Sequence, residues 1–140
     1  MVLVDTSAWI EWLTDSPLAG RVAPHLQQLS ELAVPTLVQY ELFKWASRER
    51  DEAVALDVVG LSAQGVVISL DTNLAIAAAD ASSRFKLAMA DAIIYATADW
   101  IEAKLVTCDA HFQKLPGVEY IAKGRGRAGQ TTPRSGDKPR

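Results

Sequence analysis

The chain has 140 residues, the length of one domain that can bury a hydrophobic core, and its net charge is −3. Hydrophobic residues make up 49% and charged residues 22%, values typical of a soluble globular protein. No apolar run approaches the roughly 18 residues of a membrane span, and Asp5 ends the apolar opening too early for a signal peptide. We therefore expect a cytoplasmic protein with no membrane partner. Cys108 is the only cysteine, which excludes an internal disulfide and a multi-cysteine zinc site.

The net charge hides an asymmetry between residues 123–140 and the rest of the chain. Residues 123–140 carry six Lys or Arg against one Asp, whereas residues 1–122 carry eight basic and sixteen acidic side chains. The basic segment also holds four of the eight glycines, so it cannot bury enough apolar area to order itself. We predict a domain over 1–122 and a flexible basic Gly/Pro-containing tail over 123–140. The tail is either a solubilising extension or a weak electrostatic tether for nucleic acid.

Short apolar runs alternate with amphipathic segments throughout the predicted domain. In chain order, the predicted strands are 2–4, 32–34, 66–68, 105–106 and 118–121. The predicted helices are 8–13, 17–29, 36–48, 52–63, 72–85, 90–103 and a short one at 110–115. Thr6 or Ser7 is expected to cap the first helix. Because parallel strands need helical crossovers, this alternation predicts an α/β fold with a parallel sheet of four to five strands and helices on both faces.

Two acidic residues follow predicted strands directly. Asp5 comes after the strand 2–4, and Asp109 comes shortly after the strand 105–106. In open parallel sheets, functional residues gather beyond the carboxyl ends of the strands. Each aspartate therefore has two interpretations, a functional carboxylate or a cap for the helix that follows.

Two further acidic residues lie on predicted helices. Glu41 falls on the apolar stripe of the helix 36–48, one turn from Leu37 and from Trp45, where a carboxylate needs a compensating partner. The alternative is a glutamate that reaches solvent at the helix edge or pairs with an Arg in the core. Asp91 opens the helix 90–103, where it is either functional or only stabilises the helix dipole.

Four carboxylates that converge on one site repel each other, and some of them take up protons unless a cation keeps them ionised. A divalent cation removes that conflict, and oxygen ligands favour Mg²⁺ or Mn²⁺. The chemistry that fits is phosphodiester hydrolysis, in which the ion activates water and stabilises charge on the scissile phosphate. A carboxylate that is not fully committed to the ion can accept the proton of the water.

Four segments of the chain resemble motifs of PIN-domain nucleases, specifically the VapC-type toxins of bacterial toxin–antitoxin pairs. They read VLVDTSAWI at 2–10, PTLVQYEL at 35–42, ADAIIYATA at 90–98 and LVTCDAHF at 105–112. The resemblance covers about residues 1–121 and implies a three-layer α/β/α PIN-like fold. It also implies Mg²⁺ or Mn²⁺, endonucleolytic cleavage of RNA, a homodimer, and inhibition by a cognate VapB-type antitoxin that binds across the active site.

The resemblance implies that the catalytic and metal-site residues are Asp5, Glu41, Asp91 and Asp109. Ser7 and Thr107 lie in the matching motifs, and their hydroxyls are expected to hold a water at the metal or an acidic neighbour. Arg84 and Lys86 precede Asp91 and either serve solubility or steer an RNA phosphate toward the metal. His111 either contacts phosphate or makes a hydrogen bond at the start of a helix.

Three other functions compete with the toxin interpretation. A phosphatase with an aspartyl nucleophile needs a second Asp two residues after the first, and position 7 is Ser. A PIN-like DNA nuclease or RNA-maturation enzyme would share the same four carboxylates. A non-catalytic α/β module could bind a metal or a partner without turnover, although all four carboxylates are present.

Overall fold

A computed structural model describes residues 1–123, which form a sheet of parallel strands connected by helices. The strands are β1 (Val2–Val4), β2 (Leu32–Pro35), β3 (Val66–Ile68), β4 (Lys104–Thr107) and β5 (Val118–Tyr120). The α-helices are α1 (Thr6–Leu13), α2 (Ala19–Val22), α3 (Thr36–Glu49), α4 (Glu52–Ser62), α5 (Thr72–Phe85) and α6 (Met89–Trp100). Three turns of 3-10 helix are Ala23–Leu26, Leu29–Glu31 and Ala110–Phe112.

The five strands lie in the order β3-β2-β1-β4-β5, and every neighbouring pair is parallel. This confirms the predicted three-layer α/β/α fold and fixes the number of strands at five. β1 lies at the centre, with Val4 opposite Val106 of β4 and Leu3 opposite Ala33 of β2. The chain segments that leave β1 and β4 therefore begin side by side at one edge of the sheet.

The central strands are buried on both faces. Leu3 and Val4 of β1 and Leu105 and Val106 of β4 are at most 1% exposed, which explains why these strands are continuous apolar runs. β3 lies at the edge of the sheet, and its Val66 is largely exposed. The acidic residues therefore follow two strand ends that are buried in the core.

The predicted helix over 17–29 is wrong. The segment forms the short helix α2 and two 3-10 turns, because Pro24 has no N–H for the α-helical hydrogen bond and interrupts the helix. Val22 and Leu26 of the predicted apolar stripe are nevertheless buried. The predicted short helix over 110–115 is likewise a 3-10 turn that ends at Phe112. The other predicted elements are present, with ends that differ by up to three residues.

The predicted flexible tail over 123–140 lies outside the described residues except for Lys123, whose Nζ is 3.9 Å from Oε2 of Glu11. Within residues 1–123, none of the helices has both the length and the apolar character that crossing a membrane requires.

Candidate active site

The fold brings the four predicted carboxylates to the carboxyl edge of the sheet. Asp5 directly follows β1, and its backbone N–H donates to the carbonyl oxygen of Val106 in β4 at 2.9 Å. Asp109 follows β4, the neighbouring strand. Glu41 lies in the second turn of α3, which begins directly after β2, and Asp91 lies in the first turn of α6.

Asp5 is the most buried of the four, with 4% of its surface exposed. Its Oδ2 accepts hydrogen bonds from the hydroxyls of Ser7 at 2.7 Å and Thr107 at 2.8 Å. Burial raises the pKa of Asp5, and the two hydroxyl bonds partly lower that pKa. Asp5 occupies the N-cap position of α1, but its side chain makes no capping hydrogen bond. The capping interpretation therefore does not account for this carboxylate.

Glu41 is half-buried, and its hydrogen-bond partner is Thr6, whose hydroxyl donates to Oε1 of Glu41 at 2.5 Å. Burial raises the pKa of Glu41, the Thr6 bond lowers it, and the charges of Asp5, Asp91 and Asp109 raise it further. The last effect requires that all four carboxylates lie within electrostatic range of one another. Glu41 is thus a member of the cluster rather than a glutamate that reaches solvent alone.

Asp91 and Asp109 form the more open side of the cluster together with His111. One ligating atom from each of these residues lies within 4.8 Å of the other two. Burial raises the pKa of Asp91, and the Asp109 charge raises it further, while His111 lowers it. Asp109 also acts as a cap, because its Oδ1 accepts the backbone N–H of His111 at 2.9 Å. The capping interpretation is correct for Asp109, but it engages only one carboxylate oxygen.

Hydroxyl groups tie the two central strand ends together. The backbone N–H of Cys108 donates to Oγ of Ser7 at 3.0 Å, and that of Asp109 donates to Oγ1 of Thr107 at 2.9 Å. Thr6 and Ser7 were predicted to cap α1, and this prediction is wrong, because both hydroxyls donate to carboxylates instead. The Ser7 and Thr107 hydroxyls both donate to Asp5, and their role at a metal stays a prediction.

The cluster has no strong basic partner. Among the salt bridges of residues 1–123, none joins a Lys or Arg to any of the four carboxylates. Nη1 of Arg84 lies 3.4 Å from Oδ2 of Asp80, and the guanidinium lies over the ring of Phe85. Lys86 is exposed at the end of α5. Neither Arg84 nor Lys86 forms a salt bridge with the cluster, and their contact with RNA stays a prediction.

Comparison with known proteins agrees with the motifs. A family model described as the PIN domain matches residues 2–118. The chain belongs to the PIN-domain family. Comparison with curated protein sequences gave no match.

Several solved structures share the fold of this PIN domain. A toxin–antitoxin complex from Klebsiella pneumoniae has a TM-score of 0.72 at 22% identity, covering 86% of this chain and 100% of the other. VapBC2 from Rickettsia felis, bound to a fragment of promoter DNA, has a TM-score of 0.69 at 16% identity. The match covers 86% of this chain and 98% of the other. VapC20 from Mycobacterium tuberculosis, described as a toxin that cleaves the sarcin–ricin loop, has a TM-score of 0.65 at 17% identity, covering 81% and 93%.

The donor set of this PIN domain fits a divalent cation. The four carboxylates supply hard oxygen ligands. Burial and mutual repulsion raise the pKa values of three of them, and a cation among them would lower those pKa values again. A thiol mechanism does not fit, because burial raises the pKa of Cys108 to about 11.

Sequence reasoning missed two residues that contact the cluster. Thr6 was assigned only a capping role, although it lies beside Asp5 in the first motif. His111 was predicted to contact phosphate or to make a hydrogen bond at the start of a helix, but not to lie beside the carboxylates as a ligand. The signal for His111 was its position two residues after Asp109, where a tight turn brings both side chains to one side.

Proposed function

We propose that this PIN domain is a Mg²⁺- or Mn²⁺-dependent endoribonuclease and the toxin of a toxin–antitoxin pair. The observation that carries the proposal is the cluster of four carboxylates at the carboxyl edge of the sheet, to which no Lys or Arg of residues 1–123 forms a salt bridge. The fold likeness to toxin–antitoxin complexes and to a toxin that cleaves the sarcin–ricin loop supports the assignment.

Asp5, Glu41, Asp91 and Asp109 would hold the divalent cation. When bound, the ion supplies activation of water and stabilisation of charge on the scissile phosphate. Ser7 and Thr107 fix the orientation of Asp5, and Thr6 fixes that of Glu41. Glu41 is partly exposed, and an oxygen of its carboxylate that is not committed to the cation would accept the proton of the attacking water.

The partners follow from the same proposal. RNA is the substrate, a VapB-type antitoxin is the inhibitor, the chain forms a homodimer, and it acts in the cytoplasm. Exposed apolar side chains that include Tyr40, Ile76 and Met89 support contact with other protein chains. Met89 also lines an apolar groove of about 370 Å³ between α5 and α6. Arg84 and Lys86 are the proposed contacts to RNA phosphate.

Expression of the full chain in a bacterial host tests the proposal. We expect growth arrest by the wild type, relief of the arrest by Asp5→Asn or Asp91→Asn, and no relief by Asp57→Asn, which changes an exposed aspartate on α4. Undiminished toxicity of both site variants would contradict the assignment.

Cleavage by the purified chain separates the toxin from its alternatives. We expect metal-dependent cuts within single-stranded RNA that EDTA abolishes and that Asp109→Asn lacks. Preferred cleavage of DNA at equal metal concentration would favour a DNA nuclease. Metal binding without cleavage of either substrate would favour a non-catalytic module.

A further inference from the structure

The imidazole of His111 lies against two carboxylates of the proposed metal centre. Its Nδ1 is 3.2 Å from Oδ1 of Asp109 and 3.3 Å from Oδ2 of Asp91. The side chain is 74% exposed, whereas those of Asp91 and Asp109 are 20% and 29% exposed. His111 therefore stands at the open side of the cluster, where its position is not imposed by packing of the ring.

The turn after β4 fixes this position through its backbone. The 3-10 turn Ala110–Phe112 is anchored by Phe112, which is fully buried, and by the hydrogen bond from the His111 N–H to Asp109. Because Phe112 points into the core, the preceding side chain is directed to the carboxyl edge of the sheet. The same short turn thus presents one oxygen and one nitrogen ligand atom.

We propose that His111 is a nitrogen ligand of the metal centre and makes that centre prefer Mn²⁺ over Mg²⁺. The inference rests on the proposed function, because it presupposes that Asp91 and Asp109 hold a divalent cation. No other residue of the described chain brings a nitrogen ligand atom into this group.

The spacing of the three ligand atoms supports this role. An octahedral ion with ligands at about 2.1 Å holds adjacent ligands about 3 Å apart. The separations of 3.2 and 3.3 Å from Nδ1 to the two carboxylate oxygens match that spacing. The three ligand atoms also lie within 4.8 Å of one another, which is close enough for Asp91, Asp109 and His111 to share one cation.

The type of ligand atom sets the metal preference. Mg²⁺ favours carboxylate, carbonyl and water oxygens, whereas imidazole nitrogen suits transition-metal ions. An imidazole that replaces one oxygen ligand lowers the affinity for Mg²⁺ relative to Mn²⁺. The competing role is a hydrogen bond that orients Asp91 and Asp109 without contact to the ion, and it gives no such selectivity.

Pulsed electron paramagnetic resonance of bound Mn²⁺ distinguishes the two roles. The chain has only two histidines, so the full-length protein is prepared without a polyhistidine tag and compared with His111→Gln and with the control His25→Gln. His25 contacts Glu119 and lies outside the cluster. We expect nitrogen modulation of the Mn²⁺ signal in the wild type and in His25→Gln, and its loss in His111→Gln.

Calorimetric titration with Mn²⁺ and with Mg²⁺ supplies the second readout. We expect His111→Gln to weaken Mn²⁺ binding by about tenfold or more, which is the loss found when a group that supports a metal ligand is removed. Mg²⁺ binding should weaken less. The His25→Gln control should keep both affinities.

The outcomes separate the inference from the proposed function. Mn²⁺ binding with no nitrogen modulation in the wild type, or with modulation that persists in His111→Gln, would overturn the role of His111 and leave the carboxylate centre standing. If the wild type binds no Mn²⁺ and so behaves like Asp91→Asn, both the metal centre and the role of His111 are overturned.

Discussion

Glu41 and Glu119 are glutamates of one domain in opposite electrostatic surroundings. Glu119 in β5 accepts a hydrogen bond from Nζ of Lys104 at 2.8 Å and lies 3.0 Å from Nε2 of His25, and these partners lower its pKa. Glu41 has one hydroxyl partner, Thr6, and its pKa is raised by burial and by three neighbouring aspartates.

The difference shows what each acidic group requires. The protein supplies positive charge to Glu119, so that side chain is satisfied as an ion pair at the surface. Within residues 1–123, only hydroxyl, imidazole and backbone N–H groups contact the cluster around Glu41, so these residues leave its negative charge without a Lys or Arg partner. A bound divalent cation meets this requirement and accounts for the chemistry proposed here.

The largest expected effect is on cleavage. Asp91→Asn should lower the rate of RNA cleavage by about 10²–10³-fold, the range found when one electrostatic contact to a reacting group is lost. Glu119→Gln is the matched control and should leave the rate unchanged, because its carboxylate is outside the cluster. Single-turnover cleavage at saturating Mn²⁺ measures both. Equal loss in the two variants would remove the distinction between the regions.

Bound metal should stabilise the wild type against unfolding. At a free Mn²⁺ concentration 100 times the dissociation constant, the free energy of unfolding rises by about 2.7 kcal/mol. The rise should disappear in Asp91→Asn and persist in Glu119→Gln. Thermal unfolding with increasing Mn²⁺ measures it, and an equal shift in Asp91→Asn would place the ion elsewhere.

Without metal, the raised pKa of Glu41 should make the cluster unfavourable at neutral pH. A group whose pKa is raised in the folded state stabilises that state at low pH and loses this contribution as pH rises through the folded pKa. As pH rises above 4.5, the ordinary pKa of glutamate, the wild type should therefore lose stability relative to Glu41→Gln. The Gln carbonyl still accepts the Thr6 bond. Chemical denaturation in EDTA across this pH range is the check, and a constant difference would contradict the raised pKa.

Glu119→Gln should have the smallest effect and the opposite pH dependence. The Glu119 side chain is 40% exposed, so loss of its ion pairs should lower the free energy of unfolding by only about 0.2–1 kcal/mol at neutral pH. Because the pKa of Glu119 is lowered, its contribution is present above the ordinary pKa and is lost as pH falls. The same denaturation series measures it, and a gap that widens in acid would be inconsistent with the lowered pKa.

Most of the fold could be predicted from periodicity and composition. The strands are short apolar runs because they are covered on both faces, and β3 was predicted correctly from its β-branched residues although its face is partly exposed. The segment 17–29 was predicted wrongly because its apolar stripe fits a helix, although Pro24, which is visible in the sequence, interrupts one. Strand order is set by contacts between distant segments, and it required the structure.

The acidic members of the site could be predicted, but their partners could not. Asp5 and Asp109 stand out because they follow strands, and Glu41 stands out because it interrupts an apolar stripe. Thr6 and Ser7 have the sequence pattern of helix caps, and only the structure shows that Thr6 contacts Glu41 of α3 and that Ser7 contacts Asp5. The spacing of His111 to Asp109 is visible in the sequence, but its contact with Asp91 of α6 requires the fold.

Thermal unfolding of the full-length wild type and Glu41→Gln, in EDTA and in saturating Mn²⁺ at neutral pH, tests most directly whether a cation holds the four carboxylates. In EDTA we expect Glu41→Gln to unfold at the higher temperature, because it removes one of the repelling charges. In Mn²⁺ we expect the wild type to unfold at the higher temperature, because it keeps the full set of ligands. The same order of stability under both conditions would contradict the account.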